Sequence, residues 1–205
     1  MYLKSIPSIA QKIFPEAIWN SHKRPLLQWT FDDGPHPDST RQLLTLLDEY
    51  NITGTFFCSG RNAERYPELV DEILANGHQI GNHGYNHISG WSTKSKDYID
   101  NIQKAKSFLN SNLYRPPYGR ITKSQIHYIR EELKMEVVLW NLMPGDFDNS
   151  VSAKLLHQRL FKYISKTSLV VLHDRPEFID KLCEGLSIFF RNKSEKQLQR
   201  NFLEE

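Results

Sequence analysis

Two acidic side chains, Asp32 and Asp33, stand side by side after the apolar run Leu26–Phe31 and before Gly34-Pro35. Two carboxylates this close repel one another when both ionise in a partly desolvated place, unless a cation or an arginine compensates them. The pair therefore calls for a metal ion, although Asp-Gly-Pro is also ordinary turn chemistry. His83 and His87 are four residues apart, a spacing that puts two imidazoles on one side of a helical turn, within reach of one divalent ion. Two nitrogens and one carboxylate form the ligand set typical of catalytic zinc and other first-row metals, with positions left for water and substrate.

Other unusual polar clusters are Arg115-Pro116-Pro117-Tyr118-Gly119, Asp146 through Asp148, and His173-Asp174. Each alone has a plain reading, as a Pro-rich connection or a strand terminus. Each proline fixes φ and removes a backbone donor, so the Arg115 loop is stiff and suits positioning. His22, His36, His78, His127 and His157 are read as solvated or packing residues, with His36 the one close to the carboxylate pair. Trp91 and Tyr85, near His87, either stack on a ring-shaped ligand or pack in the core.

These clusters fall just after apolar runs, which constrains what must hold them. Buried strands are expected within Leu26–Phe31, Gly54–Cys58, His78–Gly81, Met135–Trp140 and Ser168–Leu172. Helical periodicity runs over Asp38–Tyr50, Tyr66–Asn76, Lys96–Asn110, Thr122–Leu133 and Ser152–Ser165. Strand and helix alternate, so a mainly parallel sheet with outer helices follows, and its C-terminal rim is where active sites assemble. The length of 205 residues is too short for eight complete units, which favours a smaller or incomplete barrel.

Composition narrows the partners. Residues 1–205 read as one domain, with the motif-bearing core at about 26–190, because no linker or repeat divides them. Lys plus Arg number 26 against 24 Asp plus Glu, so there is no broad basic field for nucleic acid or an anionic membrane. Cys58 and Cys183 lie far apart and no disulfide is expected. Met1 to Trp19 carries Lys4 and Lys12 and is broken by Pro7 and Pro15. It contains no stretch suited to a signal peptide or a membrane span, so a cytoplasmic monomer is expected.

Thr30-Phe31-Asp32-Asp33-Gly34-Pro35, His83-x-x-x-His87, Arg115-Pro116-Pro117-Tyr118-Gly119 and Leu172-His173-Asp174 occur in the order seen in polysaccharide deacetylases. From about Gln28 to Asp174 the chain resembles that family, carbohydrate esterase family 4 with its NodB homology domain. The resemblance implies a distorted, incomplete (β/α) barrel of about seven strands that removes N-acetyl groups from amino sugars. It implies a divalent metal on Asp33, His83 and His87, zinc first, with cobalt, nickel or manganese as alternatives. Asp32 is implied as general base on metal-bound water, with Arg115 orienting it, and the Tyr118 backbone N–H as an oxyanion donor. His173 is implied as general acid paired with Asp146, while Leu172 lines the acetyl-methyl pocket and Pro117 and Phe147 contact substrate. The implied partner is an N-acetylated glycan or oligosaccharide.

The chain departs from the pattern in three places. Gly84 replaces the usual Ser or Thr after the first metal histidine, and Phe147 replaces the usual Trp after Asp146. Beyond His173 one helix is expected, and the tail from Asn192, with Lys193, Glu195, Lys196 and Arg200, offers no final strand to close a barrel. Two other activities fit the residues: metal-dependent hydrolysis of a small non-sugar amide, and carbohydrate binding without turnover.

Overall fold

The computed structural model describes residues 11–22 and 24–201, the stretch 193–201 as backbone alone. The N-terminal features at Lys4 and Pro7 lie outside the described residues. Six parallel strands, β1 (Trp29–Asp32), β2 (Thr55–Cys58), β3 (Gln79–Asn82), β4 (Leu113–Tyr114), β5 (Glu136–Val137) and β6 (Val170–His173), form one curled sheet in the order β5-β4-β3-β2-β1-β6. Around it lie α1 (Thr40–Glu49), α2 (Gly60–Arg65), α3 (Pro67–Ala75), α4 (Ser95–Lys106), α5 (Lys123–Glu131), α6 (Ala153–Tyr163) and α7 (Ile179–Asn201). No helix among the described residues is long and apolar enough to cross a membrane.

Local chemistry accounts for several boundaries. Thr122 opens α5 as a capping box with Gln125, and Ser152 caps α6 by accepting from the Leu155 N–H. Pro67 stands at the first turn of α3, where no backbone donor is needed. β1 and β2 are buried along their whole length, which is why they read as continuous apolar runs rather than as alternating ones.

The sheet has two distinct faces. Trp29, Phe31, Phe56, Cys58, Ile80, Val170 and Leu172 pack outward with Leu43 and Leu47 of α1, Leu156 and Leu160 of α6, and Leu182 and Leu186 of α7. The inner face carries Phe57, Leu113, Val138 and Leu169, together with the polar set of Thr30, Asp32 and Arg115. A third cluster, including Tyr98, Ile102, Tyr114, Ile126 and Ile129, seats α4 and α5.

This division corrects one expectation. Leu172 is fully buried among the outer-face side chains, so it does not line a pocket beside His173. Side chains alternate along a strand, which puts Val171 on the inner face with His173 instead. Among the described residues the sheet has six strands, in keeping with the distorted, incomplete barrel expected. Single bridges, Ile18 to Val138 and Leu142 to Val170, extend the two edges, and Ser21 bonds to Thr167 and Ser168. The C-terminal stretch adds helix, not strand, as α7 continues to Asn201.

Leu172→Ala therefore acts on stability. It should lower the unfolding free energy by about 2–5 kcal/mol, read by urea denaturation, whereas a pocket residue would leave the midpoint nearly unchanged.

Candidate active site

The strand ends gather the chemistry-bearing residues on one rim. Asp32 closes β1, His83 follows β3, Arg115 follows β4 and His173 closes β6. Arg115 is fully buried and donates from Nη1 to Thr30 Oγ1 at 2.6 Å and to Asp32 Oδ1 at 2.7 Å. Its Nη2 donates to the Leu139 carbonyl at 3.1 Å, and the guanidinium lies 4.1 Å from the Phe57 ring centroid. Burial lowers the Arg115 pKa, and Asp32 opposes that shift.

Asp33, His83 and His87 each bring one ligand atom to a common place, all within 4.8 Å of one another. Asp33 Oδ1 is 3.1 Å from His87 Nε2 and 3.6 Å from His83 Nε2, while Asp32 Oδ2 lies 3.9 Å from His83 Nε2. The protonation states suit a cation. Burial keeps His83 below its ordinary pKa, and its Nδ1–H donates to the Arg115 carbonyl at 2.8 Å, which leaves the Nε2 lone pair facing the ligand set. Burial opposes the Asp33 charge, but the bond to His87 and the electrostatic influence of the neighbouring imidazoles hold its carboxyl well below the usual range. The donor set therefore fits a divalent metal of the first row.

The segment joining the two histidines is a loop, not the helical turn expected from their spacing. Gly84 has φ 76° and His87 φ 53°, and the local N–H groups are taken elsewhere. Asn82 Oδ1 accepts from Gly84 N, Asn101 O from Tyr85 N, and Asn101 Oδ1 from Asn86 N. A Cβ at Gly84 would come within 2.7 Å of Asn101 Nδ2, so both conformation and space call for glycine here. Asn101 was not singled out, although a polar residue on the apolar stripe of α4 is the signal that marks it. Asp33, His87 and Tyr118 all hold left-handed backbone, with φ of 82°, 53° and 60°. Strained conformations of that kind persist where the surroundings over-determine them, as at binding sites.

Asp146 accepts from His173 twice, from its backbone N at 2.7 Å and from Nδ1 at 3.1 Å. Burial alone would lower the His173 pKa, but the Asp146 charge and hydrogen bond, joined by Asp33 and Asp32, raise it to about 9. The Phe147 ring packs against the imidazole at 5.1 Å, so the aromatic wall is kept where the usual Trp is absent. Tyr118 is exposed with its ring 4.6 Å from His87, and Pro117 is buried. Tyr85 belongs to the core, unlike the exposed Trp91.

Asp174, read from sequence only as part of a strand-end cluster, is the anchor of the carboxylate loop. It accepts from Ser39 Oγ and Thr40 Oγ1 at 2.6 Å each, at the start of α1, and its N–H donates to the Asp32 carbonyl. A Cβ at Gly34 would collide with this carboxylate. Burial pushes its pKa up to about 6 against the two hydroxyl donors. A cavity of about 350 Å³ opens beside the ligand set, bounded by Asp33, His36, Asn62, His87 and Arg175.

A parallel half-barrel thus carries on its C-terminal rim an Asp-His-His set that fits a metal ion, flanked by a carboxylate held by an arginine and an imidazole held by a carboxylate. Residues 20–138 match the family described as polysaccharide deacetylase, and the chain belongs to that family. It is 33% identical over 153 residues to a peptidoglycan-N-acetylglucosamine deacetylase of Bacillus cereus, a match covering 72% of this chain and 55% of that protein. A chitooligosaccharide deacetylase of Azorhizobium caulinodans is 29% identical, with 71% of each chain covered. The solved structure of the Bc1960 peptidoglycan N-acetylglucosamine deacetylase superposes with a TM-score of 0.76 at 29% identity, covering 82% of this chain and 81% of that one. The chain thus spans about half the length of the first of these relatives.

The His173 pair yields a direct test. With its folded pKa raised to about 9 from the ordinary 6.5 of an imidazole, the charged pair stabilises the fold below about pH 6.5 and that contribution is lost as pH rises through about 9. Asp146→Asn removes the raising influence and leaves the burial, so the His173 titration followed by NMR should move to lower pH. A midpoint that stays in place would separate Asp146 from the tuning of His173.

Proposed function

We propose that this chain hydrolyses the N-acetyl group of an amino-sugar residue within a glycan, with a divalent metal, zinc first, on Asp33, His83 and His87. The observation that carries the reading is the arrangement of two oriented proton-transfer groups around that ligand set. One is a carboxylate held by an arginine, Asp32 with Arg115, and the other an imidazole held by a carboxylate, His173 with Asp146. The relatives' names, peptidoglycan-N-acetylglucosamine and chitooligosaccharide deacetylase, support an N-acetylated glycan as substrate. The carbohydrate-binding alternative would need none of this proton machinery.

A divalent cation held there supplies Lewis acidity toward an acetyl carbonyl and toward water. The chain's own residues do the rest. Arg115 occupies Oδ1 of Asp32 and fixes the carboxylate, leaving Oδ2, near His83 Nε2, to accept a proton as general base. His173 Nδ1–H donates to Asp146, and Nε2–H gives its proton to the amine as the C–N bond breaks. The Tyr118 N–H contributes to holding the negative oxygen of the tetrahedral state, a donor of a kind worth about 3 kcal/mol. Val171, on the inner face beside His173, replaces Leu172 as the apolar residue closest to the acetyl methyl in this reading. A monomer acting in the cytoplasm completes it on the sequence reading alone, which light scattering and cell fractionation check.

Acetate release decides among the activities. Chitooligosaccharides, peptidoglycan fragments and small N-acetyl compounds should be compared with zinc, cobalt, nickel or manganese added. Turnover confined to a small non-sugar amide would replace the proposal, and no turnover of any acetylated compound would leave the binding function in its place. His83→Ala should lose bound metal and activity together, and stoichiometric metal in that variant would break the ligand assignment. Asp32→Asn should keep the metal while kcat falls by about 10²–10⁴-fold; a near wild-type rate would remove Asp32 from proton transfer.

A further inference from the structure

The loops after β3 and β4 carry side chains that neither the metal ligands nor the proton-transfer pairs use. Trp91 and Tyr118 are 65% and 61% exposed, the most exposed large apolar side chains among the described residues. The Arg120 guanidinium lies over both rings, 5.6 Å from each centroid, and Tyr118 in turn meets His87 at 4.6 Å. His87, Tyr118, Arg120 and Trp91 thus form a continuous row leading outward from the ligand set. The 350 Å³ cavity shares His87 with this row and is otherwise lined from the loops after β1, β2 and β6.

The row is held in place. Trp91 Nε1–H donates to the Ile121 carbonyl at 3.1 Å, and Gly90 N–H donates to the Arg120 carbonyl at 3.0 Å. Gln125 Nε2 donates to the Gly90 carbonyl at 2.9 Å, and a Cβ at Gly90 would meet the Arg120 carbonyl oxygen at 2.6 Å. The two loops are therefore locked together at the base of the indole. An exposed indole gains little from burial in its own fold, so its packing gives no reason for this restraint. A ring fixed in advance does lose little entropy when a flat apolar partner covers it. A pyranose offers such a partner, since its C–H face is apolar and its hydroxyl edges accept from a guanidinium.

We propose that Trp91, Arg120 and Tyr118 form a sugar-stacking subsite for a glycan residue adjoining the one that is deacetylated, so that oligosaccharides are preferred to single sugars. This rests on the function proposed above for the same site. It deepens that reading by setting a minimum substrate length.

The test compares the β-1,4-linked tetramer of N-acetylglucosamine with the single sugar. For the wild-type chain, kcat/KM should be much higher on the tetramer, and Trp91→Ala should reduce that ratio about tenfold through KM. Trp91→Phe should retain part of the preference and Arg120→Ala lose part of it. Tyr128→Ala, an exposed aromatic of α5 outside the row, should keep the wild-type ratio. Calorimetric titration with the tetramer, which needs no turnover, should show the same loss of affinity in a Trp91→Ala protein of unchanged thermal midpoint and metal content. Turnover with a length preference that ignores Trp91 overturns the subsite and leaves the activity standing. Trp91-dependent binding without acetate release keeps the subsite and sinks the activity, and no tetramer binding by the wild-type chain overturns the subsite outright.

Discussion

A buried guanidinium is the constraint on which this site is built. Arg115 has no solvent-accessible surface, and a charge so placed is tolerated only with its partners in good geometry. Its donors reach Thr30 and Asp32 on β1 and the carbonyls of Val138 and Leu139 just beyond β5, while its own carbonyl accepts from His83 after β3. One residue therefore ties together three parts of the rim. It compensates Asp32, it orients that carboxylate, and it selects the tautomer in which His83 offers Nε2. A lysine would satisfy the charge but not the planar fork, which serves separate acceptors at fixed angles.

The adjacent carboxylates show how the repulsion between neighbours is resolved. The sequence argument asked for a metal or an arginine, and the structure divides the two duties. Asp32 turns to Arg115, while Asp33, in left-handed backbone, turns to the two histidines. Asp32 is the last residue of β1 and Asp33 lies past it, so the left-handed turn at Asp33, not strand alternation, sets the two side chains to different partners. The fold thus separates a proton acceptor from a metal ligand without separating them along the chain.

Much of this was legible because the informative residues sit at strand ends, where local pattern is strong. The clusters at Asp32, His83, Arg115, Asp146 and His173 all meet on one rim, and the helix starts at Thr122 and Ser152 carry caps. What was not legible depends on distant partners. β4 is two residues long and exists because Leu113 and Tyr114 pair with β5; nothing in so short a run has a period. The His83–His87 spacing suited a helix as well as a loop, and Asn82 and Asn101 decided between them. Asp174 looked like a strand terminus, because its partners Ser39 and Thr40 lie more than a hundred residues earlier. Leu172 was placed by its nearness to His173 along the chain, when the face it occupies depends on parity.

That parity shows how the apolar core sets the chemistry. Asp32 and His173 are register partners across β1 and β6, so the candidate base and acid stand in one layer of the sheet on the same face. The register is held one residue away, where Phe31 pairs with Leu172 and both pack outward against the helices. A slip by one residue would turn Leu172 into the polar interior and His173 into the outer core, exposing one to charge and burying the other against apolar side chains. The burial of Phe31 and Leu172, worth about 1.5–3 kcal/mol for each side chain, therefore opposes such a slip directly. Asp174 adds a polar lock, with its N–H on the Asp32 carbonyl and its carboxylate on the first turn of α1. The separation of the candidate base Asp32 from the candidate acid His173 is thus set mainly by residues that take no part in proton transfer.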